Sequence, residues 1–263
     1  MFSEHNSAPK TAEPTPRLKT TIWLALLLSA AIAWAIILQY SFAMGGMAQG
    51  MATMSAQPES ALIFLPLWTI MMIAMMFPAV APVVSLFAAI SSKRRMGGEK
   101  VAPIWLFLAG YLAVWGLFGI GVYLLSLVVP ALSMMAAGLR VDHPLAAGIV
   151  LILAGVYQAS PLKQVCLHHC RSPLAVILHG WRDGWGGAFR MGVSHGAYCL
   201  GCCWGLMVVL FAVGLMNLTW MIILTVVIFA EKVVTHGPLI GKVTALVLIL
   251  FGLFTAVTPW LNQ

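Results

Sequence analysis

Long apolar stretches constrain the fold of this chain more than any other feature of its sequence. A transmembrane α-helix needs about 20 consecutive apolar residues, and seven stretches approach or exceed that length. They run approximately over residues 22–42, 62–90, 103–129, 144–159, 191–215, 218–234 and 239–257. Only 8% of the residues are charged, compared with about 25% in soluble proteins. The sequence therefore predicts an all-α polytopic membrane bundle of about seven transmembrane helices.

The basic residues predict how this bundle is oriented. With the N-terminus in the cytoplasm, all but one of the 14 Lys and Arg residues fall in cytoplasmic segments, the exception being Arg140. Cytoplasmic loops carry an excess of Lys and Arg, so we expect the N-terminus inside and the C-terminus outside a cell (inner) membrane. The net charge of +7 then reflects topology, and no basic face supports a nucleic-acid partner.

The predicted domain organisation is simple. Residues 1–20 are polar and contain several prolines, which predicts a disordered cytoplasmic tail. Residues 21–259 are predicted to form a single transmembrane domain in the lipid bilayer, followed by a short tail at 260–263. The sequence shows no nucleotide-binding motif, so active pumping would need another subunit. We leave enzymatic activity open and favour a binding role.

The first predicted outside loop is rich in methionine. In "AMGGMAQGMATM", Met44, Met47, Met51 and Met54 would share an arc of about 80° if the segment were helical. A thioether has no proton to lose and binds soft monovalent copper. Methionine also fills apolar gaps, and the glycines of this segment weaken the helix assumption. Both interpretations remain open.

A second group of methionines lies in the second apolar stretch. In "WTIMMIAMMFPAVAP", Met71 and Met75 are four residues apart, as are Met72 and Met76. Residues at that spacing are neighbours on a helix. Two prolines follow the group and interrupt the helical hydrogen bonds, which can free carbonyls inside the membrane. The stripe is a candidate metal path, and core packing around a kinked helix explains the same residues.

The third predicted cytoplasmic loop contains "KQVCLHHCRSP". Cys166, His168, His169 and Cys170 place four nitrogen or sulfur donors within five positions, a spacing within the range of zinc sites. A disulfide is disfavoured in a cytoplasmic loop. We predict metal ligands here, although four donors this close need a second contributor to surround one ion. The alternative is a pair of reduced cysteines beside incidental histidines.

The fifth stretch offers that second contributor. In "SHGAYCLGCCWGLM", His195, Cys199 and Cys202 share one helical stripe, with Cys203 just beyond it. Small residues along this helix permit close approach of a neighbouring segment. A cysteine can also be a small hydrophobic residue, but three beside a histidine predict a site for a soft cation.

Two adjacent charges end the sixth stretch. Glu231 and Lys232 lie where ionisable residues need partners. One interpretation pairs Glu231 with Lys232, whose long side chain reaches the interface. The other turns Glu231 towards the bundle as a carboxylate for a passing cation or proton.

These segments together resemble an uncharacterised family of predicted metal-binding integral membrane proteins, a domain of unknown function carrying CLxxCRSP and YCLGCCW motifs. The resemblance is carried by "MMIAMMFPAVAP", "CLHHCRSPL", "GAYCLGCCWGLM", "MNLTWM" and the following "EK", over roughly residues 62–235. It implies that Cys166, Cys170, Cys199, Cys202 and Cys203 are candidate metal sites. It implies no particular activity, and the roles of the two histidines in "CLHHC" depend on local chemistry alone.

Three functions remain at this point. The first is binding or handling of a soft transition metal, copper as Cu(I) before zinc, in transport or delivery to a partner protein. The second is a thiol–disulfide membrane oxidoreductase, against which burial of the thiols argues. The third is a non-catalytic subunit of a membrane complex, which leaves the clustered thiols unexplained.

Overall fold

The computed structural model describes residues 16–43, 61–98, 101–135, 143–172, 183–213 and 218–261, together with residues 174, 177 and 181. Within them the prediction of an all-α fold is confirmed, with eight helices and no strand. These are α1 (Pro16–Ala43), α2 (Ala61–Met96), α3 (Ile104–Met135), α4 (His143–Ala159), α5 (Pro161–Arg171), α6 (Gly184–Val213), α7 (Leu218–Val233) and α8 (Gly237–Leu261).

The described residues contain fewer candidate membrane spans than the predicted seven. Among them, five helices, α1, α2, α3, α6 and α8, are long and apolar enough to cross a membrane, and there are six if α4 and α5, a pair bent by 59°, count as one span. Helix α7 has 16 residues, or about 24 Å at 1.5 Å per residue, which is shorter than the roughly 30 Å hydrocarbon core. The predicted sixth stretch ends at Val234, one residue beyond this helix.

The N-terminal boundary also differs from the prediction. Helix α1 begins at Pro16, inside the segment predicted to be disordered. Proline is favoured in the first turn of a helix, where its missing N–H has no partner to lose. The first apolar stretch is therefore preceded by a further turn of helix.

Helix α2 lies in the core and positions much of the bundle. It packs against α1, α3 and α7, and it remains one helix through Pro66, Pro78 and Pro82. In contrast, α1, α3 and α8 leave many large apolar side chains exposed, such as Phe254 at 63% and Leu28 at 63%. Surfaces this apolar are rare on soluble monomers and are expected where a helix faces lipid.

Glycines bring α3 and α6 into close contact. A Cβ placed on Gly110 of α3 would collide with the carbonyl oxygen of Phe189, and one on Gly192 of α6 would collide with that of Phe107. The two backbones therefore touch where side chains would otherwise separate them, as is typical of helix packing in membranes. This contact fixes α6, and with it the cysteine stripe, against α3.

We expect Gly192→Ala to destabilise the protein and Gly121→Ala to leave it unchanged or slightly stabilised. Both glycines lie in helices, so alanine gains about 1 kcal/mol of helix propensity at each. A Cβ at Gly121 meets nothing within 4 Å, whereas at Gly192 it forces α3 and α6 apart, at a cost of about 1–3 kcal/mol. Thermal unfolding in detergent micelles compares the two variants. Equal melting temperatures would contradict the close packing described above.

Candidate metal centre

The "CLHHC" segment is a helix, not the loop predicted from the sequence. Helix α5 begins after Ser160, whose side chain accepts a hydrogen bond from the Lys163 backbone N–H at 3.3 Å, and Pro161 occupies its first turn. Serine at the N-cap followed by proline is a strong helix start. The segment was assigned to a loop because its polar residues follow an apolar stretch, yet they form the helical arm of the bend between α4 and α5.

The helical conformation separates the four donors of this segment. At about 100° per residue, Cys166 and Cys170 lie on one face and His169 beside it, while His168 points away. Cys170 is buried, Cys166 and His169 are half-buried, and His168 is exposed. His168 therefore faces away from the two cysteines, and its role as a ligand stays a prediction.

The four donors of α6 lie inside the protein. His195 is 3% exposed, and Cys199, Cys202 and Cys203 are each 1% exposed. The Sγ atoms of Cys202 and Cys203 lie 3.1 Å and 2.8 Å from the carbonyl oxygen of Cys199, a back-bond to the preceding turn like that of serine or threonine. The thiols therefore form a compact row on one face of the helix.

Helix α5 brings its own thiols to that row. The Sγ atoms of Cys170 and Cys202 lie 3.8 Å apart. A metal–thiolate bond is about 2.3 Å long for zinc, so one ion can contact both sulfurs at an angle near the tetrahedral value. One turn earlier on α5, Cys166 packs on the backbone of Gly201, where a Cβ would lie 2.8 Å from its Sγ. The structure thus places the two cysteine motifs side by side.

Cys199 is held by two residues that sequence reasoning missed as site residues. The Tyr111 hydroxyl of α3 lies 3.0 Å from Cys199 Sγ, and Lys232 Nζ of α7 donates to the same sulfur at 2.9 Å. Lys232 was considered only as a partner of Glu231, and nothing in the local sequence near Tyr111 points to a thiol 88 residues away.

Glu231 pairs with Lys163 and not with Lys232. Its Oε2 accepts from Lys163 Nζ at 2.6 Å, and its Oε1 accepts from the Gln158 side-chain amide. The Lys163 and Glu231 side chains are 0% and 3% exposed. Consecutive helical residues point about 100° apart, so Glu231 turns into the bundle while Lys232 turns towards Cys199. The inward orientation considered from the sequence is the one observed, although its partner is a lysine.

Arg171 ties the other end of α5 to α7. Its guanidinium donates to the carbonyl oxygens of Glu231 at 2.5 Å, Val234 at 2.6 Å and Thr235 at 3.0 Å. These carbonyls lie at the C-terminal end of α7, where a cation interacts favourably with the helix dipole. Both ends of the short α5 are therefore fastened to the same turn of α7.

The remaining predicted donors are the methionines, and the contacts described for the thiols do not include them. Met71, Met72, Met75 and Met76 are each at most 1% exposed in the core of α2, whereas the polar contacts of the thiols run to α3, α5 and α7. The two α2 methionine pairs thus have a packing role in this structure, and a role as a metal path stays a prediction. Met44, Met47, Met51 and Met54 lie outside the described residues.

Two histidines are further candidate nitrogen donors, His195 of α6, which faces α3, and His169 of α5, which faces α6. His195 stacks near the rings of Phe107 and Tyr111, with centroids 6.1 Å and 5.9 Å away, and its Nδ1 has no hydrogen-bond partner among the described residues. Buried polar atoms are normally paired, so this nitrogen is available to a ligand. His169 stacks on Tyr198 of α6 at 3.7 Å.

The described residues contain no cluster of three or more His, Cys, Asp or Glu side chains arranged to hold a metal ion. The closest arrangement is the sulfur pair of Cys170 and Cys202. Such a pair suits an ion that accepts two soft ligands more than one that requires a four-ligand cage.

We expect Glu231→Ala to destabilise the protein by about 3–5 kcal/mol, because it leaves the buried Lys163 ammonium unpaired. Asp183→Ala is the matched control. It removes an ion pair with Arg94 whose acidic side chain is 74% exposed, and such pairs contribute about 0–1 kcal/mol. Unfolding in detergent micelles gives both values. Comparable losses in the two variants would show that burial of the Lys163–Glu231 pair has no special importance.

Comparison with known proteins adds one finding. Residues 65–255 match the profile of a protein family described as PpoB2, copper chaperone. The matched region contains all five cysteines, His195 and the four methionines of α2. No curated protein and no solved structure matches the chain.

Proposed function

Because this chain belongs to the PpoB2 copper chaperone family, we propose that it is a membrane protein that binds copper as Cu(I) and delivers it to a partner protein. The observation that supports this most is the 3.8 Å separation of Cys170 and Cys202 Sγ, on two different helices. Two thiolates from separate helices form a site that exists only in the folded protein. We place this protein in the inner membrane with its N-terminus in the cytoplasm, as the basic residues predict.

The donor set favours Cu(I) over zinc. Thiolates are soft ligands that suit both ions, but structural zinc normally takes four ligands in a closed tetrahedron. Cu(I) is satisfied with two or three soft ligands, and the described residues offer a sulfur pair on the face of α6 that also carries Cys199 and His195. Zinc remains the alternative if further ligands come from a partner.

Delivery requires an exit from this buried pair, and α5 provides candidate ligands. Cys166 lies one turn from Cys170 on the same face of α5 and is half-buried, as is the neighbouring His169. Passing Cu(I) from Cys202 and Cys170 to these more accessible donors would proceed by ligand exchange, without release of the ion to water. The methionines of α2, and those of residues 44–54, are candidates for an earlier part of the same path.

We expect Cys202→Ser and Cys170→Ser each to weaken Cu(I) binding by at least about 100-fold. Loss of groups that merely support a metal ligand already costs about 10- to 100-fold, and these variants remove a ligand itself. Anaerobic competition between the detergent-purified protein and a chromophoric Cu(I) chelator measures the affinity. His168→Ala is the control and should bind as the parent does, because His168 is exposed. Unchanged affinity in both serine variants would exclude this sulfur pair as the site.

The same sulfur pair supports a second candidate function, a thiol–disulfide oxidoreductase. Joining Cys170 to Cys202 would release two protons and two electrons, which an acceptor such as a membrane quinone would have to take. The burial of both thiols limits access of such an acceptor. A protein that binds no copper but whose thiols oxidise and reduce reversibly with a quinone would favour this second function.

A further inference from the structure

We propose that Glu231 is a positioning residue that sets the separation of Cys170 and Cys202. This inference rests on the proposed function, since it explains how the copper-binding sulfurs are brought together. Its carboxylate contacts neither thiol. It acts through the bend between α4 and α5, which carries one of the two sulfurs.

The backbone at this bend lacks one of the hydrogen bonds of a continuous helix. Pro161 has no N–H, so the helical hydrogen bond that would run back to Tyr157 is missing. Ser160 alone separates the two helices, and its N–H donates to the Tyr157 carbonyl at 2.9 Å. Ser160 is extended, with φ −68° and ψ 150°, as the residue before a proline usually is. The backbone therefore bends here, and contacts elsewhere hold α5 at the 59° angle.

Glu231 provides those contacts on both sides of the bend. One carboxylate oxygen accepts from Gln158 in the last turn of α4, and the other accepts from Lys163 in the first turn of α5 at 2.6 Å. All three side chains are buried. Replacing buried ion pairs by apolar residues often costs no stability, so stability alone does not explain an ion pair at this position.

The length of α5 makes the position of Cys170 sensitive to the angle between α4 and α5. Cys170 lies ten residues beyond Ser160, which is about 15 Å along a helix. A swing of about 10° at the bend would move Cys170 by about 2.6 Å over such an arm. That displacement is comparable with the 3.8 Å between the two sulfurs. Arg171 restrains the far end of α5 against the same turn of α7, so Glu231 and Arg171 together define its orientation.

A cross-linking experiment tests this proposal without any metal. In a background carrying Cys166→Ser, Cys199→Ser and Cys203→Ser, only Cys170 and Cys202 remain to react with the bifunctional thiol reagent dibromobimane. Gln158→Leu removes the contact from α4 and leaves the Lys163–Glu231 pair in place, so the protein should fold. It should cross-link at least fivefold more slowly relative to its rate of alkylation by monobromobimane, which measures how well a reagent reaches these buried thiols. Glu231→Gln should be slowed at least as much, whereas Asp183→Asn should react as the background does.

A charge exchange separates positioning from mere stabilisation. Glu231→Lys and Lys163→Glu should each slow cross-linking, and the double variant should return the rate to within about twofold of the background, since the ion pair is restored with its polarity reversed. A parent-like rate in both Gln158→Leu and Glu231→Gln, or a double variant no faster than the single ones, would overturn the proposal.

Measuring Cu(I) affinity alongside the cross-linking rates shows whether this inference or the proposed function fails. If the parent chain binds Cu(I), Gln158→Leu should weaken that binding about 10-fold, as supporting groups of metal ligands commonly do. If the parent binds no copper but the cross-linking rates change as described, the proposed function fails and the positioning role of Glu231 stands. If copper binds and the rates do not change, the positioning role fails alone.

Discussion

The buried ion pair between Glu231 and Lys163 is the interaction on which the arrangement of the site depends. Two opposite charges inside an apolar bundle are costly unless each is paired and hydrogen-bonded, and Gln158 and Lys163 meet that requirement for the carboxylate. Since these partners come from both arms of a bent helix pair, the same contact that neutralises the charge also orients α5. The need to pair a buried charge thereby becomes a geometric constraint on Cys170.

Close packing between α3 and α6 positions the cysteines of α6, which form the other side of the site. Glycines at the contact between α3 and α6 let the two backbones touch, so the cysteine row of α6 cannot move away from α3. Tyr111 of α3 and Lys232 of α7 then reach Cys199 from two directions. The sulfur cluster therefore takes its thiols from α5 and α6, and α3 and α7 supply the polar groups that contact Cys199.

The fold was largely predictable from sequence, and the site only in part. Uncharged apolar stretches long enough to cross a bilayer leave few options besides helices, which the described residues confirm. The α6 stripe followed from helical periodicity, because His195 and Cys202 are seven residues apart on one face. The "CLHHC" segment was assigned to a loop, since its polar composition hid a helix start formed by Ser160 and Pro161. That error made His168 a candidate ligand, although the helix turns it outward.

The sequence by itself determined the all-helical class, the apolar character and the residue types able to bind a soft ion, because these follow from composition and local periodicity. Only the tertiary structure decided which partners those residues take. Glu231 pairs with a lysine 68 positions away and not with its neighbour Lys232, since adjacent helical side chains diverge. Cys202 likewise meets Cys170 across 32 positions, a contact that spacing alone does not reveal because it depends on the bend between α4 and α5 and on the packing of α5 against α6.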